Sequence, residues 1–407
     1  MPQHSFTRHA TVAGSDKWPQ ATQRRAPLYA RENDIRSEFA RDYNRILHCT
    51  AYRRLKHKTQ VFFATSNDHI CTRIEHVGHV DSVSETIAHF LGLNTELTSA
   101  IAVGHDLGHA PFGHAGEDVL KDITADRLHR PFWHERNSLR FVDRIETLED
   151  CEGRQRNLDL TYAVRDGIVC HCGEVDENGL RPREQALDLA DITAPGQVPP
   201  FTWEGCVVKV SDKIAYLGRD IEDALRLGIL TKHQIRELVE ICSGLGTFKV
   251  REINNTVLMH DLIVDICANS RPEEGVRLSP PHLEVMNRVK AFNYDNIYDH
   301  PRLTEYKKYV RLVLLSIFDR LMTYREDPFE LLDAARHAFP VLADSFRSWL
   351  VKYAVQSPER AKPATKHKNE AIYDLGEEDD YIQAVVDYLS GMTDQFAIKI
   401  FNEIISF

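Results

Sequence analysis

No two of the eight cysteines in this 407-residue chain stand at the CxxC spacing of a zinc ribbon or a redox motif. Scattered thiols in a chain this long read as buried or free residues of a reducing cytosol, and a disulfide framework is excluded. Long apolar runs are missing too: none approaches the roughly 18 residues of a membrane span. The opening MPQHSFTRHATVAG lacks the apolar centre of a secretory signal, so the expectation is a cytoplasmic chain with no membrane partner. Positive charge is in deficit, with 50 Lys and Arg against 61 Asp and Glu and a net charge of −11. Bulk attraction to nucleic acid is therefore excluded as the main function, although a local basic patch still suits phosphates. Strand signals are few, and VFFA after Gln60 is the best of them. Internal repeats and low-complexity tracts are absent.

What is present is helical periodicity. From Thr72 onward, Ile74, Val77, Val80, Val83, Ile87 and Leu91 recur at steps of three and four, predicting an amphipathic helix that ends near Gly92. Asn94 reads as the N-cap of a second helix running towards His105. A third spans about 207–227, with Gly228 as its stop. Further helical patterns lie near 33–47, 134–147, 231–243, 255–268, 303–325, 330–336, 340–354 and 380–405. Loops are expected at about 175–205, where four prolines forbid a helix, at 270–282, and at 357–370 as a linker or flap. The fold class is mainly α, with few short strands.

Histidine is crowded where the helices meet. Ten of the 20 histidines lie between His57 and His134, and packing gives no reason for that, whereas metal binding and proton transfer do. Inside this window, AVGHDLGHAPFGHAGE (102–117) places His105–Asp106 at the end of an apolar helix, before a turn broken by Gly108 and Pro111. Neighbours on a regular helix diverge by about 100°, but at a broken helix end both side chains can turn to one ion. His76 on the preceding helix and Asp212 on the later one are natural further ligands. Such a mixed N/O set suits manganese, iron, cobalt, nickel, zinc or magnesium and leaves positions open for water and a phosphate oxygen. His109, His114 and Glu117 stand in the same turn.

A lone His, then His-Asp, then a distant Asp is the signature of HD phosphohydrolases. RDYNRILHCTAYRRLKHKTQVF (41–62), TRIEHVGHV (72–80), HDLGHAPFGHAGE (105–117), KVSDKIAYLGRDIEDAL (209–225) and DYLSGMTDQFA (387–397) resemble, in order, segments of the deoxyguanosine triphosphate triphosphohydrolase family. This resemblance implies an HD-type helical bundle at 31–270, behind a tail at 1–30 and carrying a helical region at 271–407 packed on it. It implies metal-dependent hydrolysis of a deoxynucleoside triphosphate, dGTP foremost, to deoxynucleoside and inorganic triphosphate, in a homo-oligomer; whether a nucleotide effector or single-stranded DNA is a further partner stays open. By the same resemblance His76, His105, Asp106 and Asp212 are metal ligands, and His114 and Glu117 are the catalytic pair with His134 as a further active-site histidine. Arg73 and Lys213 contact the triphosphate, with His109 close to it. Gln60, Tyr216 and Asp220 read the deoxyribose, and Val61 closes the space beside C2′. Asp212, Tyr216 and Asp220 are spaced so that one helical face presents all three. The chain departs from relatives in reading His134-Glu135-Arg136-Asn137 where His-Asn-x-Gln is common. The alternatives are another HD phosphohydrolase, a nucleotide sensor or a single-stranded nucleic-acid binder.

Other motifs have bland readings. Cys170-His171-Cys172 is read as structural or incidental, because two thiols and an imidazole in three residues cannot all face one ion without strain. The basic run Arg53, Arg54, Lys56, His57 and Lys58 divides evenly between a solvated face and phosphate contact.

Overall fold

The computed structural model describes residues 4–28, 34–63, 69–172, 178–243 and 255–406. These are mainly helical, as the periodicity predicts. The principal helices are α1 (Glu38–His48), α2 (Arg73–Leu91), α3 (Thr95–Gly104), α4 (His114–Arg127), α5 (His134–Arg140), α6 (Tyr162–Cys170) and α7 (Trp203–Arg226). They continue as α8 (Asn255–Asn269), α9 (Pro280–Asn293), α10 (Pro301–Met322), α11 (Pro340–Tyr353), α12 (Glu378–Ser390) and α13 (Asp394–Ile405). Among the described residues the one sheet is the antiparallel pair β1 (Thr147–Glu149) and β2 (Gln155–Asn157).

Local chemistry sets the boundaries. At the start of α2 the Thr72 amide and hydroxyl both donate to Glu75, at 2.8 and 3.0 Å, which satisfies the first orphan groups of the helix. Gly92 ends it in the left-handed region, φ 81°, at no steric cost for a residue without Cβ. Asn94 caps α3 as expected, accepting from Glu96 and Leu97. Unlike α2, α3 is apolar on nearly every side, with Leu97 and Ala100–Gly104 buried. It therefore lies at the centre, packed by α1, α2, α6 and α7. The site grows from its C-terminal end.

Two apolar cores hold the helices. One joins α1, α3 and α6 to α10–α13; the other joins α2, α7, α8 and α9 to the N-terminal segment through Phe6. Both take residues from either side of position 270.

Several boundaries differ from the periodicity. Val61–Phe63 form no strand; Phe63 instead packs on Phe112 and stacks on Tyr306, its ring 5.8 and 5.9 Å away, and Ala64 lies outside the described residues. The pattern at 134–147 stops being α-helical at Arg140, continues as a π turn and enters β1. That at 380–405 is two helices, because Thr393 caps α13 by accepting from Phe396. The third predicted helix begins earlier than 207, where the Thr202 hydroxyl accepts from Gly205. Pro280 and Pro281, read as loop, form the first turn of α9, where their missing N–H groups cost nothing. The 357–370 segment lies against β2, with Gln155 and Lys366–Lys368 exchanging backbone bonds.

Candidate active site

Three elements bring the expected ligands together. His76 comes from the first turn of α2, His105 and Asp106 follow the last residue of α3, and Asp212 lies midway along α7. His76 Nε2 is 3.0 Å from Asp212 Oδ1 and 3.8 Å from Asp106 Oδ2. His105 Nε2 is 3.5 Å from Asp106 Oδ1 and 3.8 Å from Asp212 Oδ1. The His105 Nδ1–H donates to the Ala102 carbonyl at 2.6 Å, which turns the Nε2 lone pair into the cluster. That nitrogen is buried and has no hydrogen-bond partner among the described residues. Burial pulls the His105 pKa down to about 4, so the ring is a neutral donor at pH 7. Burial also raises Asp212, but the His76 hydrogen bond and nearby imidazoles hold it at about 2. Two imidazole nitrogens, one of them orphaned, and two ionised carboxylates fit a divalent cation.

Beside this cluster stands a second one built on Glu117. Glu117, in the first turn of α4, is buried; its Oε2 lies 3.1 Å from His134 Nδ1 and 3.4 Å from His114 Nδ1. The carboxylate thus serves two histidines, and the one it holds closer is His134, at the start of α5. Burial lowers the His134 pKa, but Glu135 and Glu117 outweigh it and raise it to about 10. His134 is an imidazolium at neutral pH and stacks on the buried His109, ring centroids 4.0 Å apart. His109 goes the other way, driven well below its usual value by burial and by the charges of Arg73 and His134. The His114 side chain is 55% exposed, which leaves it the most accessible proton carrier of the three.

Both clusters open on one cavity of about 250 Å³. Arg73, His76, Asp106, His109, His114, His134 and Asp212 line it, and Gln60, Val61, Tyr216 and Asp220 also contribute. Arg73, itself buried, reaches from Asp106 at 2.6 Å to the Gln60 carbonyl at 3.4 Å. Asp220 takes a 2.5 Å hydrogen bond from Tyr298 on Oδ2, while its buried Oδ1 and Gln60 Oε1 have no partner among the described residues. Burial pushes Asp220 up to about 6. His105 and Glu117 stand behind the wall, and Lys213 is buried on α7 without lining the cavity.

The loop carrying His105–His114 is pinned from two sides. Gly108 lies so close to α5 that a Cβ would sit 2.2 Å from the Ser138 nitrogen. The Gly108 amide donates to the Ser138 hydroxyl, and its carbonyl accepts from Asn137. Phe112 takes a left-handed φ of 64°, a conformation that costs a residue with a Cβ and must be held by its surroundings. Its amide donates to Asp394 Oδ1 at 2.7 Å, while Asp394 Oδ2 accepts from the Thr59 amide and hydroxyl. Lys58, the last of the basic run, is buried and donates to the His109 and Ser390 carbonyls. Arg54 pairs with Glu146, and only Arg53, Lys56 and His57 form an exposed face.

Sequence reasoning missed two contributions. His171, at the end of α6, is buried with its ring 4.8 Å from His105 and 5.7 Å from His134. In Cys170-His171-Cys172 the Cys170 thiol donates to Asp166 at 3.7 Å, whereas the imidazole lies with the cluster. Only the histidine crowding hinted at this. An aromatic wall of Tyr294, Tyr298 and Tyr306 also lines the cavity. It comes from the far side of residue 270, and the sequence carries no pattern that points it there.

The model of the HD domain family matches residues 73–217, the stretch from Arg73 through Leu217. Over nearly the whole chain the sequence is similar to proteins named deoxyguanosinetriphosphate triphosphohydrolase-like. It is 35% identical to one from Desulfatibacillum aliphaticivorans, over 91% of this chain and 88% of that protein. It is 33% identical to one from Ralstonia nicotianae, over 93% and 91%, and 32% identical to one from Caldanaerobacter subterraneus, over 91% and 86%.

Proposed function

We propose, for a chain that belongs to the HD-domain family of deoxyguanosinetriphosphate triphosphohydrolase-like proteins, that the reaction is hydrolysis of a deoxynucleoside triphosphate at the α-phosphorus. The products are the deoxynucleoside and intact inorganic triphosphate, and dGTP is the first substrate to test. One observation carries this reading. A phosphate-suited cluster (His76, His105, Asp106, Asp212) and a sugar-suited one (Gln60, Tyr216, Asp220) line or back the same cavity.

His76, His105, Asp106 and Asp212 would hold the divalent ion, which when bound polarises the α-phosphate and lowers the pKa of water. Arg73 and His134 supply fixed positive charge to the phosphates, and in a water-poor pocket such preorganised charge acts strongly on a developing oxyanion. His114, oriented by Glu117, sits at the open side and donates a proton to the departing 5′ oxygen. Asp220 and Gln60 each have a buried oxygen with no partner among the described residues, and a 3′-hydroxyl would donate its one proton to one of them. Val61 offers no polar side-chain atom to a 2′-hydroxyl, which would lose about 1–3 kcal/mol if desolvated without a partner.

Incubation of each deoxynucleoside triphosphate with manganese, beside GTP and dideoxy-GTP, tests this. Deoxy should lead, with ribo well behind and dideoxy poorest. Equal kcat/KM for all three sugars would return the chain to a broader HD phosphohydrolase reading.

A further inference from the structure

A second cavity, of about 590 Å³, is lined by the later residues of α5, the same helix whose first residues His134 and Glu135 line the candidate active site. Six arginines line it (Arg25, Arg130, Arg136, Arg140, Arg144 and Arg165), against two acids, Asp143 and Asp188. In a chain of net charge −11 that local excess needs a cause.

Internal ion pairs account for part of it. Arg165 grips Asp143 with two bonds of 2.6 and 2.7 Å, and Arg140 grips Asp387 likewise. Arg130 lies 3.4 Å from Asp379. Arg25 and Arg144 then share a single carboxylate, Glu370. Arg136 has none among the described residues: it donates to the Ala190 and Ile192 carbonyls and lies 5.5 Å over the Trp133 ring. Asp188 is engaged in capping its own turn at Ala190. Trp133 adds a second, independent sign. It lines the cavity, is 4% exposed, and its Nε1–H has no acceptor among the described residues. The cavity is rich in donors and short of acceptors. Guanidinium groups match phosphate oxygens in planar, paired bonds, and arginines spread around a space this large suit several linked phosphates better than one.

We propose that this cavity is a second binding site, separate from the candidate active site, for a polyphosphate anion, with Arg136, Arg144 and Arg25 as its charge partners. Two sources share that chemistry: inorganic triphosphate, and the triphosphate tail of a nucleotide whose base would lie against Phe132 and Trp133. Because α5 also carries His134, an occupant here bears on the helix that positions it.

Titration calorimetry of the full chain with inorganic triphosphate, in EDTA so that turnover is off, tests the proposal. The wild-type chain should bind at two sites. The double variant Arg136→Gln, Arg144→Gln should weaken one of them by about tenfold or more, while Arg73→Gln should weaken the other. Arg136→Gln alone, which breaks no ion pair among the described residues, should give the same direction and guards against a folding defect in the double variant. Unchanged affinities in both arginine variants, or a single site abolished by Arg73→Gln, would overturn it. A slowly hydrolysed α-thio dGTP separates the sources: tighter binding than triphosphate at the Arg136 site assigns a nucleotide, and equal binding assigns the inorganic anion. Since binding is read without turnover, failure here leaves the reaction reading standing.

Discussion

Replacing Asp220 by Asn should make the folded chain more stable at pH 7.5 while damaging turnover. The carboxylate is buried, hydrogen-bonded only to Tyr298 among the described residues, and pushed from 3.8 up to about 6 by that burial. A folded-state value above the unfolded one means that folding favours the protonated form. The stability this contributes is complete below about pH 4 and is lost as pH rises through 6. At about 1.4 kcal/mol per unit, ionised Asp220 costs the fold roughly 3 kcal/mol at neutral pH. Asn keeps an acceptor for the Tyr298 hydroxyl and carries no charge. Denaturant midpoints of both proteins at pH 4.5 and 7.5 isolate this residue, because every other titrating group is common to the pair. The variant should gain at pH 7.5, most of the gain should vanish at pH 4.5, and the preference for deoxy over dideoxy substrate should narrow. A variant less stable at pH 7.5, or a difference independent of pH, would refute the reasoning.

Asp394→Ala strands the Thr59 and Phe112 amides; at about 1–3 kcal/mol for each buried orphan it should cost at least about 2 kcal/mol in chemical denaturation and lower kcat, because Phe112 loses the bond that holds its φ. Glu117→Gln removes the carboxylate that keeps His134 charged, so an NMR titration should show the His134 pKa falling from about 10; no movement would mean that Glu135 alone sustains it. His114→Ala should cut kcat by about 10²–10⁴ with KM little changed, and a change confined to KM would recast His114 as a binding residue. Asp106→Ala should lose the metal by elemental analysis while far-UV circular dichroism keeps its helical signal.

The fold was legible where local chemistry decides it. The N-cap Asn94 and the stops at Gly92 and Gly228 all act within four residues of the chain. The His-Asp pair was legible because a helix end broken by glycine and proline has few other uses for those residues. Distance in sequence hid the rest. His171 reaches the cluster because α6 packs against α3 and α5, a tertiary fact with no periodic trace. The tie from Asp394 to Thr59 spans 335 positions, and its motif looks like an ordinary helix start. Phe62 and Phe63 carry strand propensity, but an aromatic neighbour satisfies Phe63 without a ladder.

Isotope placement tests the central claim most directly. Turnover of dGTP in H₂¹⁸O with manganese, followed by phosphorus NMR, reports both the products and the bond broken. The account predicts inorganic triphosphate bearing ¹⁸O on a terminal phosphoryl group, beside unlabelled deoxyguanosine. Pyrophosphate or orthophosphate as the first product, or label in the deoxyguanosine, would contradict it.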